Sequence, residues 1–448
     1  MSRVLPTNAR MKSAASSIHS WIESMGGTRV VSHLRLPLFR NGYALILSSA
    51  ATSGFGLLYW ALAARFYPAE IVGLGSAAIS AMLLLSGLSQ LGLNSALVRF
   101  VPLAGRATTR LILGSYLISV AAAAAASIIF THNIDEWAPA LKFLGGSTWQ
   151  VFFVLATMAW CIFALQDSAL TGLRQPLWIP LENITFALVK IILLVGLAVS
   201  GQAAGLFASW TVPVFLCLVP INFLIFKRLI PRHNRALDEQ AVPLTLNPIV
   251  KFVSGNYLGA LFFQISTALL PIIVTNLSGA QANAYFYPPW MIVTALQLVA
   301  LNLTTSLTVE ATLDRAKLSA YSRRVLVQTA RLVVPLVIIV FLGAPLILQV
   351  FGSTYAIEAS ALMRWLALGT LPNILIALFI SLARVQNRPG IIMLVQGTLS
   401  LLILGLSYLL LPPLGITGIG IAWFASQTIV AVFLLLTLLR PILRLKTA

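Results

Sequence analysis

The chain has 448 residues, of which 59% are hydrophobic and only 9% charged, and it carries a formal net charge of +18. A water-soluble domain has about 25% charged residues, so that class is excluded. An excess of this size would suggest nucleic acid in a soluble protein; here the basic residues are instead sorted by their position between apolar stretches.

The first 42 residues are rich in Ser and Arg and lack the continuous apolar core of a cleavable signal peptide. They are expected to form a cytoplasmic leader, with a short amphipathic surface helix around Ile18 to Val31. Twelve apolar stretches follow, at 43–65, 71–96, 111–130, 149–172, 179–200, 204–226, 252–275, 284–308, 332–351, 361–383, 391–411 and 416–439. Each approaches the ~20 residues a bilayer-spanning helix needs. The expected fold class is therefore an all-α membrane protein with twelve transmembrane helices.

Of the 29 Lys and Arg residues, 25 lie in the leader, on alternate connections or at the C-terminal end; Arg65, Lys142 and Arg364 lie on the other set, and Lys190 lies within a span. Basic residues are retained on the cytoplasmic side, which places both termini there. Cys161 and Cys217 fall inside spans and are read as packing residues. The longest outer connection, His132 to Gly146, is too short for a folded domain, and the inner connections 227–251 and 310–331 are only somewhat longer. Function is thus expected within the bundle. There is no G-x-x-x-x-G-K-[ST] loop and no H-E-x-x-H, so no ATP site, cofactor or metal is expected.

The segment 227–251 separates six spans from six, giving a leader (1–42), an N-lobe (43–226), a linker (227–251), a C-lobe (252–440) and a tail (441–448). The halves resemble each other. GLRQPLWIPLEN around Pro176 matches QNRPGIIMLVQ around Pro389, and AAGLFASW ending at Trp210 matches ITGIGIAW ending at Trp423, both at an offset of 213. LNSALV at 93–98 matches TTSLTV at 304–309 at an offset of 211. The offset crosses an even number of spans, so the repeat is parallel, as in transporters that hold substrate between their halves.

The ionisable residues at membrane depth are Lys190, mid-span in FALVKIILLVG, and Asp167 and Glu182 near the inner ends of spans four and five. A mid-bilayer charge costs about 2.5–3.5 kcal/mol on insertion scales, so Lys190 should face a wet cavity or a partner. Asp167 and Glu182 either pair with Arg174 or Lys190, or form a proton or cation coupling site. Arg99 ends span two. Arg65 and Arg364 sit at outer span ends, where they can pair with Glu70 and Glu358 or line a cavity mouth. Asn256, Gln264 and Asn276 on span seven and Gln297 and Asn302 on span eight form a candidate polar wall.

LYWALAARFYPAEIVGLGSA, LSQLGLNSALVRFVP and ALQDSALTGLRQPLWIPLEN resemble the polysaccharide-transporter branch of the multidrug/oligosaccharidyl-lipid/polysaccharide exporter superfamily. The resemblance runs from Asn41 onward. It implies two six-helix lobes around a V-shaped cleft lined by spans one, two, seven and eight. It also implies a lipid-linked oligosaccharide flipped from the cytoplasmic to the outer leaflet of a bacterial plasma membrane. On that reading Lys190 and Arg99 contact phosphate, the span-seven and span-eight amides contact sugars, and Arg65 and Arg364 flank the cleft. The expected partners are the glycan substrate, membrane lipid and glycan-assembly enzymes, with no nucleic acid and a monomeric chain. The rival is a cation-coupled multidrug exporter using Asp167 or Glu182. A membrane-embedded glycan polymerase or ligase ranks last, because it calls for a sizeable outer catalytic loop.

Overall fold

A computed structural model describes residues 37–237, 246–313, 318–386 and 388–439. The leader helix expected around Ile18 to Val31 lies outside the described residues. The spanning helices are α1 (Pro37–Phe66), α2 (Ala69–Ser89), α3 (Thr108–His132), α4 (Ser147–Gly172), α5 (Trp178–Leu197) and α6 (Ala203–Leu224). They continue as α7 (Leu246–Ala268, prolonged by Leu270–Ser278), α8 (Ala280–Leu313), α9 (Leu318–Gln349), α10 (Ser353–Val385), α11 (Pro389–Leu414) and α12 (Ile416–Leu434). Helix is the expected solution, since each span satisfies its own backbone hydrogen bonds in hydrocarbon. Among the described residues, ten helices are long and apolar enough to cross a membrane; α1 and α8 fill the first and eighth positions. The chain is a multi-pass membrane protein.

The departures from expectation have local causes. Span two does not run to 96: α2 ends at Ser89, Leu91 and Gly92 adopt φ values of 50° and 75°, and a separate helix, Leu93–Phe100, turns away. The left-handed backbone that Gly tolerates breaks the span there. Span seven is interrupted between Ala268 and Leu270, just before Pro271, which has no N–H to close the helical ladder. Helices on the basic face outrun their apolar stretches. A π turn (Ile225–Leu229) and a helix (Ile230–Leu237) prolong α6, and α9 begins at Leu318 rather than near 332. Hydropathy marks where hydrocarbon stops, whereas a helix continues as long as its side chains suit water.

The packing repeats. In the first lobe α1 packs on α5, α3 on α4, α5 on α6, and α4 on both α2 and α6; in the second, α7 packs on α11, α9 on α10, α11 on α12, and α10 on both α8 and α12. Every pair has a mate six helices later. This is the parallel repeat expressed as structure, with Trp210 and Trp423 buried at matching places. The two lobes meet along a seam of α2 against α8 and α7, and α1 also touches α8.

Candidate substrate cavity and lobe seam

A cavity of about 540 Å³ lies on this seam, walled by α2, α7, α8, α10 and α11. Its polar lining comes from Ser80, Gln264, Thr267, Thr294, Gln297, Asn373 and Gln396, and Tyr287 and Trp290 add aromatic faces. No lining residue among those described is acidic or basic. Gln297 Nε2 is buried without a hydrogen-bond partner, and Gln264 Nε2 reaches only weakly, at 3.4 Å, to the Leu83 carbonyl across the seam. These are donors held ready for a polar, uncharged ligand, and the volume falls in the range of small-molecule sites. Spans two, seven and eight line the cavity as expected. Among the described residues span one gives no lining residue, and spans ten and eleven contribute as well.

The lobes touch at both ends of this cavity. On the face bearing few basic residues, Asn283 Nδ2 donates to the Gly73 carbonyl at 2.9 Å and to Ser76 Oγ at 3.0 Å. Asn276 Nδ2 donates to the Trp137 carbonyl at 2.9 Å. A Cβ at Gly73 would collide with the Ala280 carbonyl, so this crossing requires glycine. Arg65 donates to the carbonyls of Val350 (3.2 Å) and Gln349 (3.0 Å) at the end of α9. That corrects its expected pairing with Glu70: a helix C-terminus offers unsatisfied carbonyls and negative partial charge. On the basic face, Tyr257 donates to the Leu88 carbonyl at 2.6 Å, and Ile249 packs with Ala96 and Phe100. At about 0.6 kcal/mol per interhelical hydrogen bond in a membrane, the whole polar seam is worth a few kcal/mol, the scale of a reversible two-state opening.

Lys190 faces a partner rather than the cavity. It is 3% exposed, with its ammonium 4.0 Å from the Trp210 ring centroid, 4.9 Å from Phe186 and 5.2 Å from Tyr59. Desolvated cation–π contacts contribute about 2 kcal/mol each, enough together to offset the insertion cost of the charge. The cage is itself fixed, since Tyr59 shares a 2.7 Å hydrogen bond with Ser209 and packs edge-on against Trp210. The expected ion pair between Lys190 and Glu182 is not formed. Instead a side-chain relay crosses three helices: Asn222 of α6 donates to Gln166 of α4 at 2.8 Å, and Gln166 donates to Glu182 Oε1 of α5. Asp167 Oδ1, Glu182 Oε2 and the Tyr116 hydroxyl are buried there without partners.

The remaining candidates are scattered. Arg99 is exposed on the Leu93–Phe100 helix, its guanidinium 5.6 Å from the Phe100 ring centroid. Arg364 donates to the Phe341 carbonyl at 3.3 Å rather than pairing with Glu358, which lies six residues earlier on its helix and so not on the same face. For Asn256 and Asn302 only the helical backbone is described. Of the expected polar wall, Gln264 and Gln297 reach the cavity and Asn276 serves the seam. Sequence reading missed Asn373, Gln396 and Asn283. Asn373 and Gln396 are each the single amide of an apolar helix and Asn283 lies near the start of α8, and only the crossing of helices brings them to the seam.

The fold is a two-lobe, twelve-helix membrane bundle, an architecture it shares with solved structures of membrane transporters. An inward-facing multidrug resistance MATE family transporter of the MOP superfamily superposes with a TM-score of 0.69 at 16% identity, covering 89% of this chain and 96% of that chain. The lipid II flippase MurJ, in an inward closed conformation, gives 0.66 at 15% identity over 88% of this chain and 87% of that chain. MATE in complex with MaL6 gives 0.64 at 15% identity over 92% and 98%. No family model and no curated protein matches the chain.

Proposed function

We propose that this protein is a flippase for a lipid-linked oligosaccharide or polysaccharide precursor. It moves the head group from the cytoplasmic to the outer leaflet of a bacterial plasma membrane by alternating access, with both termini cytoplasmic. The observation that carries the reading is the character of the inter-lobe cavity. Its described walls offer amides and hydroxyls, an unpaired Gln297 donor and aromatic faces, which suit sugar rings; a cationic drug would call for a carboxylate there. Gln264, Gln297, Asn373 and Gln396 contact the sugars, and Arg99 meets the diphosphate at the cytoplasmic mouth.

The test is leaflet-resolved detection of lipid-linked sugars in depleted cells. Loss of the protein should leave the glycan on the inner leaflet, and Gln297→Leu should cut export at least tenfold while the protein still inserts. Normal export with Gln297→Leu, or drug sensitivity without glycan build-up, would reject the proposal. The second reading, a cation-coupled multidrug exporter, draws on the unpaired oxygens of Asp167, Glu182 and Tyr116 inside the N-lobe. In the flippase Asp167, whose Oδ1 is buried and unpaired, serves as a coupling site for a proton or a small cation.

A further inference from the structure

A second cavity, of about 430 Å³, opens on the outer surface of the N-lobe between α5 and α6. Its rim is apolar and lipid-facing: Leu181, Leu216 and Phe223 are 55%, 59% and 67% exposed. Two charged residues break that character. Glu182, 2% exposed, lies at the floor, and Arg228 of the π turn stands at the mouth beside Trp178. Glu182 Oε1 is taken by Gln166, but Oε2 is buried and unpartnered. Pro220, also in the lining, has no N–H for the Leu216 carbonyl one turn earlier. The groove therefore holds one unpaired carboxyl oxygen at its floor and one cation at its edge.

Depth selects the occupant. Glu182 lies one helical turn, about 6 Å, inside the start of α5. That is the thickness of a single head-group layer, and Trp178 marks the interface. We propose that this groove binds one aminophospholipid of the proposed cytoplasmic leaflet. Its phosphate pairs with Arg228, its primary ammonium donates to Glu182 Oε2, and one acyl chain lies between Leu181 and Phe223. The proposal does not depend on the cargo. It explains why a carboxyl oxygen stands unpaired beneath an otherwise apolar groove.

The test uses full-length protein in detergent, analysed by native mass spectrometry with equal amounts of dioleoyl phosphatidylethanolamine, phosphatidylglycerol and phosphatidylcholine. Phosphatidylglycerol has the phosphate without a cation, and phosphatidylcholine has a cation without an N–H. Phosphatidylethanolamine should be retained roughly fivefold over either. Glu182→Gln should bring the three lipids level, and Arg228→Gln should weaken phosphatidylethanolamine and phosphatidylglycerol alike. Leu216→Trp, at an exposed position, fills the groove and should lower phosphatidylethanolamine occupancy even if the Glu182 variant fails to fold. Equal retention of the three lipids by the unsubstituted protein, or a preference that survives Leu216→Trp, would overturn the proposal.

Discussion

Lys190 has a repeat mate at the offset of 213, and that mate is Ile403, buried in the C-lobe; Glu182 and Phe186 likewise answer to Val395 and Leu399. The same helix position is thus filled by hydrocarbon in one lobe and by a caged cation in the other. The fold does not require the charge, which argues that function retains it. Lys190→Met should keep thermal stability within a few degrees, because an apolar side chain of similar length replaces a buried ion and its thioether packs on the same rings, and should abolish glycan export. Lys190→Glu should lower the unfolding temperature, because it presents a buried anion to the negative faces of three rings. Thermal shift in detergent, run beside an export assay, checks both. The sequence marked Lys190 as exceptional. It did not reveal the cage, since Tyr59 and Trp210 come from helices more than a hundred residues apart.

Among the helices, the crossing of α2 and α8 decides whether the face with few basic residues can close. Small residues let the backbones approach, Gly73 against Ala280, and Asn283 ties the two helices. Gly73→Val should hold the lobes apart on that face. Pulsed electron resonance between spin labels at Phe66 and Gln281 should report a longer mean distance in the variant, and an unchanged distance would show that the crossing is not the closing contact. Arg65→Ala should have a milder effect of the same sign, since it removes two exposed hydrogen bonds to the end of α9. Helix number and order were legible from hydropathy. The breaks at Gly92 and before Pro271 lay inside apolar stretches, where a window average does not register them.

For the whole molecule, orientation is open to a simple experiment because both native cysteines, Cys161 and Cys217, are buried. A cysteine placed at Val199, 96% exposed on the face with few basic residues, should react with an impermeant maleimide added to intact cells. One at Arg174, on the basic face, should react only after permeabilisation; the reverse pattern would overturn the assigned topology. The exposed Lys142–Asp135 bridge at 3.0 Å adds little to stability, as water screens it. The amino-acid order by itself determined the twelve crossings, their alternation and the duplication. Hydrophobic length, the sorting of charge and an internal offset are written along one dimension, and the bilayer acts on each span separately. Only the tertiary structure decided which polar groups meet. Gln264, Gln297, Asn373 and Gln396 come together because helices far apart in sequence converge on the seam. Lys190, the most conspicuous polar residue in the chain, is turned by its own helix into the N-lobe, where aromatic rings rather than water receive its charge.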